Sequence, residues 1–266
     1  MENKNTPLHD LLQQASELIL SAEEEEEEAE DEPAPQFGLP EYWDERYIND
    51  QDPYEWFISW TDTGDKLANI FYNQKFDKAL NLGCGNSPMF LHIQDHFNEI
   101  YNIDISGVVI DQMKEKYKDN KKQLWQKMDC TQLNFPDSFF DVVFDKATLD
   151  AIMCGEDSKN NVHKSIIELF RVLKVGGLFV DITCGLFMPT FKEGSQFRGK
   201  RLHWDLIHSE KLLNPKIKEQ IVYIFVFRKL SNDFDENGCD DDNFIHNTDD
   251  DFLLKLCSDD VDKKMF

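Results

Sequence analysis

From residue 78 to residue 183, short apolar runs alternate with longer amphipathic ones, and this alternation constrains the fold more than any other feature of the chain. Residues 78–82, 99–103, 123–127, 140–144 and 178–183 read as strands. The stretch from Ser87 to about His96 and residues 107–118 and 159–173 read as helices. In the last of these, apolar side chains at 162, 166, 167, 169, 170 and 173 fall on one face, and Gly176 and Gly177 close the helix. Strands joined through helices pair in parallel by right-handed crossovers, which gives a sheet covered on both faces. Residues 221–227, Ile-Val-Tyr-Ile-Phe-Val-Phe, are the most strand-like of all. There is no internal repeat. The expectation is a doubly wound α/β domain with a mostly parallel sheet.

Charge sets the limits of that domain. The 266 residues carry 28 Lys and Arg against 52 Asp and Glu, a formal net charge of −24. Residues 1–40 hold 12 acids and one base, and residues 231–266 hold 12 acids and three bases. The middle is close to neutral. The division expected is therefore an acidic tail at 1–38, a globular domain at 39–230 and a second acidic tail at 231–266. The first tail contains a short amphipathic helix at 8–20 and nine acids between Glu23 and Glu32, a self-repelling linker. Both tails read as disordered.

This balance argues against direct nucleic-acid binding, which depends on Lys and Arg at phosphates; only residues 192–201 are locally basic. No run of about 18 apolar residues is present, so no membrane span is expected. The N-terminus has neither the basic-then-apolar pattern of a signal peptide nor the basicity of a transit peptide. Cysteines 84, 130, 154, 184, 239 and 257 are scattered, with no C-x-x-C pair, and read as reduced thiols rather than a disulfide framework or metal site. The expected compartment is the cytoplasm, with the nucleus as alternative, and the expected state a monomer.

Four polar groups end four successive strands. Gly83 and Gly85, in Leu80-Asn-Leu-Gly-Cys-Gly-Asn-Ser87, allow a sharp turn and close approach of backbone to a ligand. The third glycine of the dinucleotide fingerprint is missing, which counts against a dehydrogenase. Asp104 follows Gly85 by 19 residues and can accept both hydroxyls of a ribose; otherwise it caps the next helix. Asp129 and Cys130 follow the third strand, where a carboxylate can accept from an adenine amino group. Asp145-Lys-Ala-Thr-Leu-Asp150 leaves the fourth strand, where a substrate would approach. Each carboxylate alone is an ordinary turn residue. Together they mark a nucleotide site beyond the carboxyl ends of a parallel sheet.

These motifs, with Met128-Asp129 and Asp145 through Ala151, resemble the class I S-adenosylmethionine-dependent methyltransferases. More narrowly, they resemble the methyltransferase-like proteins that modify lysines of translation elongation factor 1A. Tyr42-Trp-Asp-Glu-Arg-Tyr47 followed by Pro53-Tyr-Glu-Trp-Phe57 is similar to that group's N-terminal signature. The resemblance runs from about Pro40 to Leu230 and thins after Gly185. It implies a Rossmann-like, seven-stranded sheet whose last strand, at 221–227, enters antiparallel. It also implies S-adenosyl-L-methionine as cofactor, enclosed by Trp43, Tyr47 and Trp56. Gly83 and Gly85 fall in the cofactor loop, Asp104 and Ile105 at ribose and adenine, Asp129 and Cys130 at the adenine amino group, and Lys146 on the cofactor wall. Asn81 departs from the pattern, which often has an acid there, and Ala147 stands where the group often has glycine.

The reaction implied is protein-lysine N-methylation, with elongation factor 1A as the partner. A lysine, whose ordinary pKa is roughly 10.4, must lose a proton before its lone pair can attack a methyl group. A poorly hydrated aromatic channel favours that loss. Asp145 and Asp150 are the candidates for positioning the amine or taking its proton. A small-molecule methyltransferase and a non-catalytic cofactor-binding protein of the same fold are the alternatives.

Overall fold

The computed structural model describes residues 36–72, 74–185, 196–197 and 200–235. The expected helix at 8–20, the acidic run at 23–32, most of the basic 192–201 stretch and the tail from 236 lie outside the described residues.

Two helices precede the sheet. Helix α1 (Pro40–Asn49) starts on a proline, whose fixed φ suits a first helical position. Helix α2 (Trp60–Phe71) starts where the Ser59 N–H donates to the Asp62 carboxylate at 3.0 Å. Strands β1 (Phe76–Asn81), β2 (Phe97–Asp104), β3 (Gln123–Lys127), β4 (Phe140–Lys146) and β5 (Leu173–Thr183) are mutually parallel. They are linked through α3 (Met89–Ile93) with a 3-10 turn, α4 (Gly107–Lys116), and α5 (Thr148–Met153) with α6 (Ser158–Val172). Then come β6 (Gln196–Phe197), β7 (Lys200–Leu213) and β8 (Ile221–Asp235). The sheet order is β3-β2-β1-β4-β5-β8-β7-β6. Strand β8 runs antiparallel to both β5 and β7, as the resemblance implied for the last long strand. Seven strands make up the expected sheet, and the two-residue β6 adds an eighth at its edge.

Alternation along each strand divides the core. Leu80, Val143, Phe179 and Phe227 pack on one face against Ile166, Leu169 and Phe170 of α6. Ala79, Phe144, Val180 and Ile224 pack on the other against Leu67 and Phe71 of α2 and Phe90 and Ile93 of α3. Each such buried Leu or Phe contributes roughly 1.5–3 kcal/mol.

Four expectations need correction. Gly176 and Gly177 do not close α6, which ends at Val172; they lie within β5. Leu173 pairs with Phe140, and the register then slips so that Leu178 faces Val142, with Gly176 at φ +81° inside the slip. Residues 200–213 were assigned no strand, although buried Leu202 and Trp204 show its period of two. Strand β8 also continues five residues past 230. Cys84, Cys130 and Cys184 are free thiols, whereas Cys154 is disulfide-bonded, so the reading of all six as reduced fails at that position.

Candidate functional site

Strand order reverses between β1 and β4, and a cavity of about 220 Å³ opens there, over the carboxyl ends of β1 to β4. Trp43, Tyr47, Trp56, Gly83, Gly85, Asp104, Ile105, Asp129, Cys130 and Lys146 all line it.

The floor is the turn after β1. Gly83 and Gly85 have φ of +48° and +50°, a left-handed conformation costly to any residue with a Cβ. A Cβ on Gly83 would sit 2.3 Å from Thr148 Oγ1, and one on Gly85 2.8 Å from the Tyr47 hydroxyl. The turn is closed by the Thr148 hydroxyl, which donates to the Leu82 carbonyl at 3.0 Å. Asp104, at the end of β2, accepts from the N–H of Gly85 on one oxygen and from the N–H of Ser106 on the other, both at 2.9 Å. Each oxygen keeps a further lone pair. Burial pushes Asp104 up to about 6, while those two N–H bonds oppose the rise. It is not the helix cap: Ser106 caps α4 by accepting from Val109 N–H at 3.3 Å.

Asn81 is explained by its neighbours. Its amide donates to Asn102 Oδ1 at 3.1 Å, and the Asn102 amide donates to Gln123 Oε1 at 2.8 Å. This buried amide chain crosses β1, β2 and β3, and an acid at 81 would lack the donor that begins it.

One wall is aromatic. Trp43 and Tyr47 stack at 6.0 Å, Trp43 meets Trp56 edge-on at 6.0 Å, and the Arg46 guanidinium lies 5.1 Å from the Tyr54 ring. Helix α1 is tied to the start of α4 by the Ser106 hydroxyl, which donates to Asp44, and by Gln112, which donates to the Tyr47 carbonyl at 2.8 Å. The connection from α1 to α2 passes over the cavity. Phe57 takes φ +59° there, strained for a bulky side chain and held because the ring is buried.

Lys146, at the end of β4, forms an ion pair with Glu55 of that connection. Both side chains are largely buried, at 7% and 13% exposure. Ser87 Oγ also donates to Glu55, at 2.9 Å. Burial, then the nearby charge of Lys216, push Lys146 down to about 7.

The two candidate catalytic carboxylates part company. Asp145 is fully buried and is not among the lining residues; its oxygens accept from the N–H of Thr148 at 3.2 Å and of Leu149 at 3.3 Å, capping α5. Its expected place beside the substrate is therefore corrected. Residues alternate along a strand, so Asp145 and Lys146 leave β4 on opposite faces. Asp150 does line the cavity. Its Oδ1 accepts from Thr183 Oγ1 at 2.7 Å and Gly185 N–H at 3.1 Å, and its buried Oδ2 has no partner. Burial raises it to about 6.

A third acid, Asp181, was not singled out from the sequence. It pairs in register with Asp145, is fully buried, and neither oxygen finds a donor among heavy-atom contacts. Burial and the charges of Asp145 and Asp150 raise it well above the ordinary carboxyl range. The signal was present: an acid within Leu-Phe-Val-Asp-Ile-Thr, a run covered on both faces. Glu55 and Thr148 were also missed, each within a motif quoted for other residues.

An open α/β sheet with a glycine turn, a ribose-type carboxylate and an aromatic wall at its switch point defines a nucleoside-binding domain of the methyltransferase class. Comparison with known proteins agrees. A family described as "Methyltransferase domain" matches residues 80–181. The bovine (Bos taurus) "EEF1A lysine methyltransferase 4" is 34% identical over 180 residues, covering 64% of this chain and 69% of that protein. The chain belongs to the methyltransferase family that this relative represents. The bovine "eEF1A lysine and N-terminal methyltransferase" is 37% identical over 205 residues, 73% of this chain, but the match spans only 29% of that protein's length. Among solved structures, the N-methyltransferase NodS from Bradyrhizobium japonicum in complex with S-adenosyl-L-homocysteine shares the fold. Its TM-score is 0.57 at 14% identity, over 70% of this chain and 96% of that one.

Proposed function

We propose that this chain is an S-adenosylmethionine-dependent protein-lysine N-methyltransferase whose acceptor is translation elongation factor 1A. The observation that carries the reading is Asp104, with each oxygen fixed by one backbone N–H and still able to accept a ribose hydroxyl beside the Gly83 turn. The relatives named for eEF1A lysine methylation support the acceptor.

When bound, the cofactor supplies a sulfonium-borne methyl group as electrophile. The chain's own residues provide alignment and dehydration. Asp104 holds the ribose, Ile105 and the residues after β3 receive the base, and Trp43, Tyr47 and Trp56 exclude water. Asp150 receives the acceptor amine on its free Oδ2 and takes the proton that the ammonium must lose. Raised toward neutrality by burial, it is better matched to that transfer than an ordinary carboxylate. Asp145 acts at one remove, by fixing α5 and with it Asp150. The same reading gives a monomer in the cytoplasm that engages protein rather than nucleic acid or membrane.

Incubating the full chain with a methyl-labelled cofactor and fractionated cell extract tests it. Label in a protein band that co-migrates with elongation factor 1A is expected. Label only in small metabolites would favour a small-molecule enzyme, and no label a binding protein.

A further inference from the structure

The sequence shows one locally basic stretch, at 192–201, and folding makes another. The end of α4 and the turn after it bring Lys114, Lys118 and Lys121 to one groove of about 270 Å³ beside β3. In the sequence these lysines are interspersed with Glu115 and Asp119. Tyr117 and Trp125, stacked with ring centres 5.9 Å apart, form the apolar wall. The groove lies at the amino end of β3, about 13 Å along the strand from Lys127, and is separate from the cavity over the carboxyl ends. Lys114 and Lys118 are 53% and 63% exposed. Their pairings with Asp111 at 4.0 Å and Glu115 at 2.7 Å are solvated and hold them weakly.

Two features distinguish this groove from an ordinary solvated helix end. The first is the buried amide chain. Asn81 donates to Asn102 and Asn102 to Gln123 Oε1, so the order of donors makes Gln123 Nε2 the last member. Gln123 is 6% exposed and lines the groove, and its Nε2 has no acceptor. Trp125 Nε1, on the same face of β3, also lacks one. Buried donors are rarely left unpaired. The second feature is the strand itself. Strand β3 begins the sheet and, among the described residues, pairs with β2 alone. Ile100 N–H donates to the Lys122 carbonyl and Met128 N–H to the Asp104 carbonyl, which turns the even-numbered residues of β3 toward β2. Trp125 and Lys127 therefore present their N–H and C=O groups to the open edge.

We propose that this groove binds an acidic, extended segment of a partner polypeptide, added as a strand on the outer edge of β3. The segment's backbone pairs with Trp125 and Lys127. Its acids, at every second position, face the Gln123 amide and Lys114, Lys118 and Lys121. Peptide groups are what the open edge can pair with, and a phosphate backbone has none; it would also meet a chain of net charge −24. The spacing of acids selects a partner over this chain's own acidic runs. An extended strand turns successive side chains to opposite faces, so alternation of acid and apolar residues puts every acid on the lysine side and every apolar residue toward Leu124. Glu23–Glu28, Asp240–Asp242 and Asp249–Asp251 are consecutive acids and would place like charges on both faces. Lysines at a sheet edge deter chance pairing, which leaves the edge to an acidic strand.

Fluorescence anisotropy with the full chain and a labelled peptide of alternating Glu and Val, about eight residues long, tests this. The competitors are a peptide of the same composition with its Glu in one block, free citrate, and a uridine oligonucleotide. The alternating peptide is expected to bind roughly tenfold more tightly than any of the three. Lys114→Gln with Lys118→Gln, both on the surface, should weaken it about three- to tenfold. Gln123→Glu keeps the acceptor for Asn102 and removes the donor, and should weaken it by at least as much. Carbodiimide coupling, which joins an ammonium to a carboxylate in contact with it, should link the alternating peptide to Lys114, Lys118 or Lys121. Equal binding of the alternating and block peptides overturns the proposal, as does tighter binding of the oligonucleotide or no binding of the alternating peptide. Unchanged affinity in the lysine variant overturns it whether or not Gln123→Glu folds. So does coupling of these lysines, with peptide in excess, to this chain's acids at 23–32 or 240–251 instead of to the peptide.

Discussion

Asp104 and Asp181 are both buried at the carboxyl edge of the sheet, and their donors decide what each can do. Asp104 has two backbone N–H groups and an open cavity, so it stays an acceptor. Asp104→Asn puts an NH2 where one oxygen accepted, and is expected to weaken binding of S-adenosylhomocysteine about ten- to hundredfold in a chain that still folds. Calorimetry beside a thermal melt checks both halves. Asp181 has no donor and keeps its proton. Its folded pKa lies above the unfolded value of about 3.9, so the native state holds a proton that the unfolded chain has already released. The associated stability is complete below about pH 4 and is lost as pH rises toward the folded pKa. Asp181→Asn cannot ionise. The melting temperature of this variant is expected to gain on the wild type steadily from pH 5 to pH 8. Parallel curves for the two proteins would show that Asp181 carries no such proton.

At the scale of elements, the turn between β1 and α3 and the start of α5 form one unit, because Thr148 packs where a Cβ on Gly83 would lie. Gly83→Ala meets both a left-handed φ and that contact, so it should cost about 1–2 kcal/mol from the backbone alone and further reduce ligand binding. Denaturant titration and calorimetry measure the two effects; a variant as stable and as tight as wild type would mean that the turn adapts. This unit was half legible in the sequence. Alternation and turn residues gave β1 to β5, helices α3, α4 and α6 and the carboxylates at the strand ends, because those depend on local pattern, but not the short α5. The slip in β5 was not legible, since it depends on how Phe140 and Leu173 pair across strands. Asp145 stands in the motif that marks the site, yet its orientation is set by the strand's two-residue period and the start of α5. Glu55 reaches Lys146 only through the path of the 50–59 connection, which no periodicity encodes.

The whole molecule carries a net charge of −24, with most of the excess outside residues 41–230. A basic acceptor protein is drawn to such a chain mainly during encounter, and salt screens that attraction over about 10 Å at 0.1 M. Methylation of the intact protein acceptor is therefore expected to lose kcat/KM as salt rises, through KM and not kcat. A short peptide containing the acceptor lysine should lose less. Equal salt sensitivity of the two acceptors would remove long-range attraction from the account and leave the chemistry at the site untouched.

The central claim is that the cavity above β1 and β4 delivers a methyl group to a lysine of elongation factor 1A. Mass spectrometry of unmethylated elongation factor 1A, after incubation with the purified full chain and S-adenosylmethionine, tests it most directly. The account predicts stepwise methyl additions on one lysine, lost with Asp104→Asn and slowed with Asp150→Asn. An elongation factor that stays unmodified while the same preparation binds S-adenosylhomocysteine would contradict it.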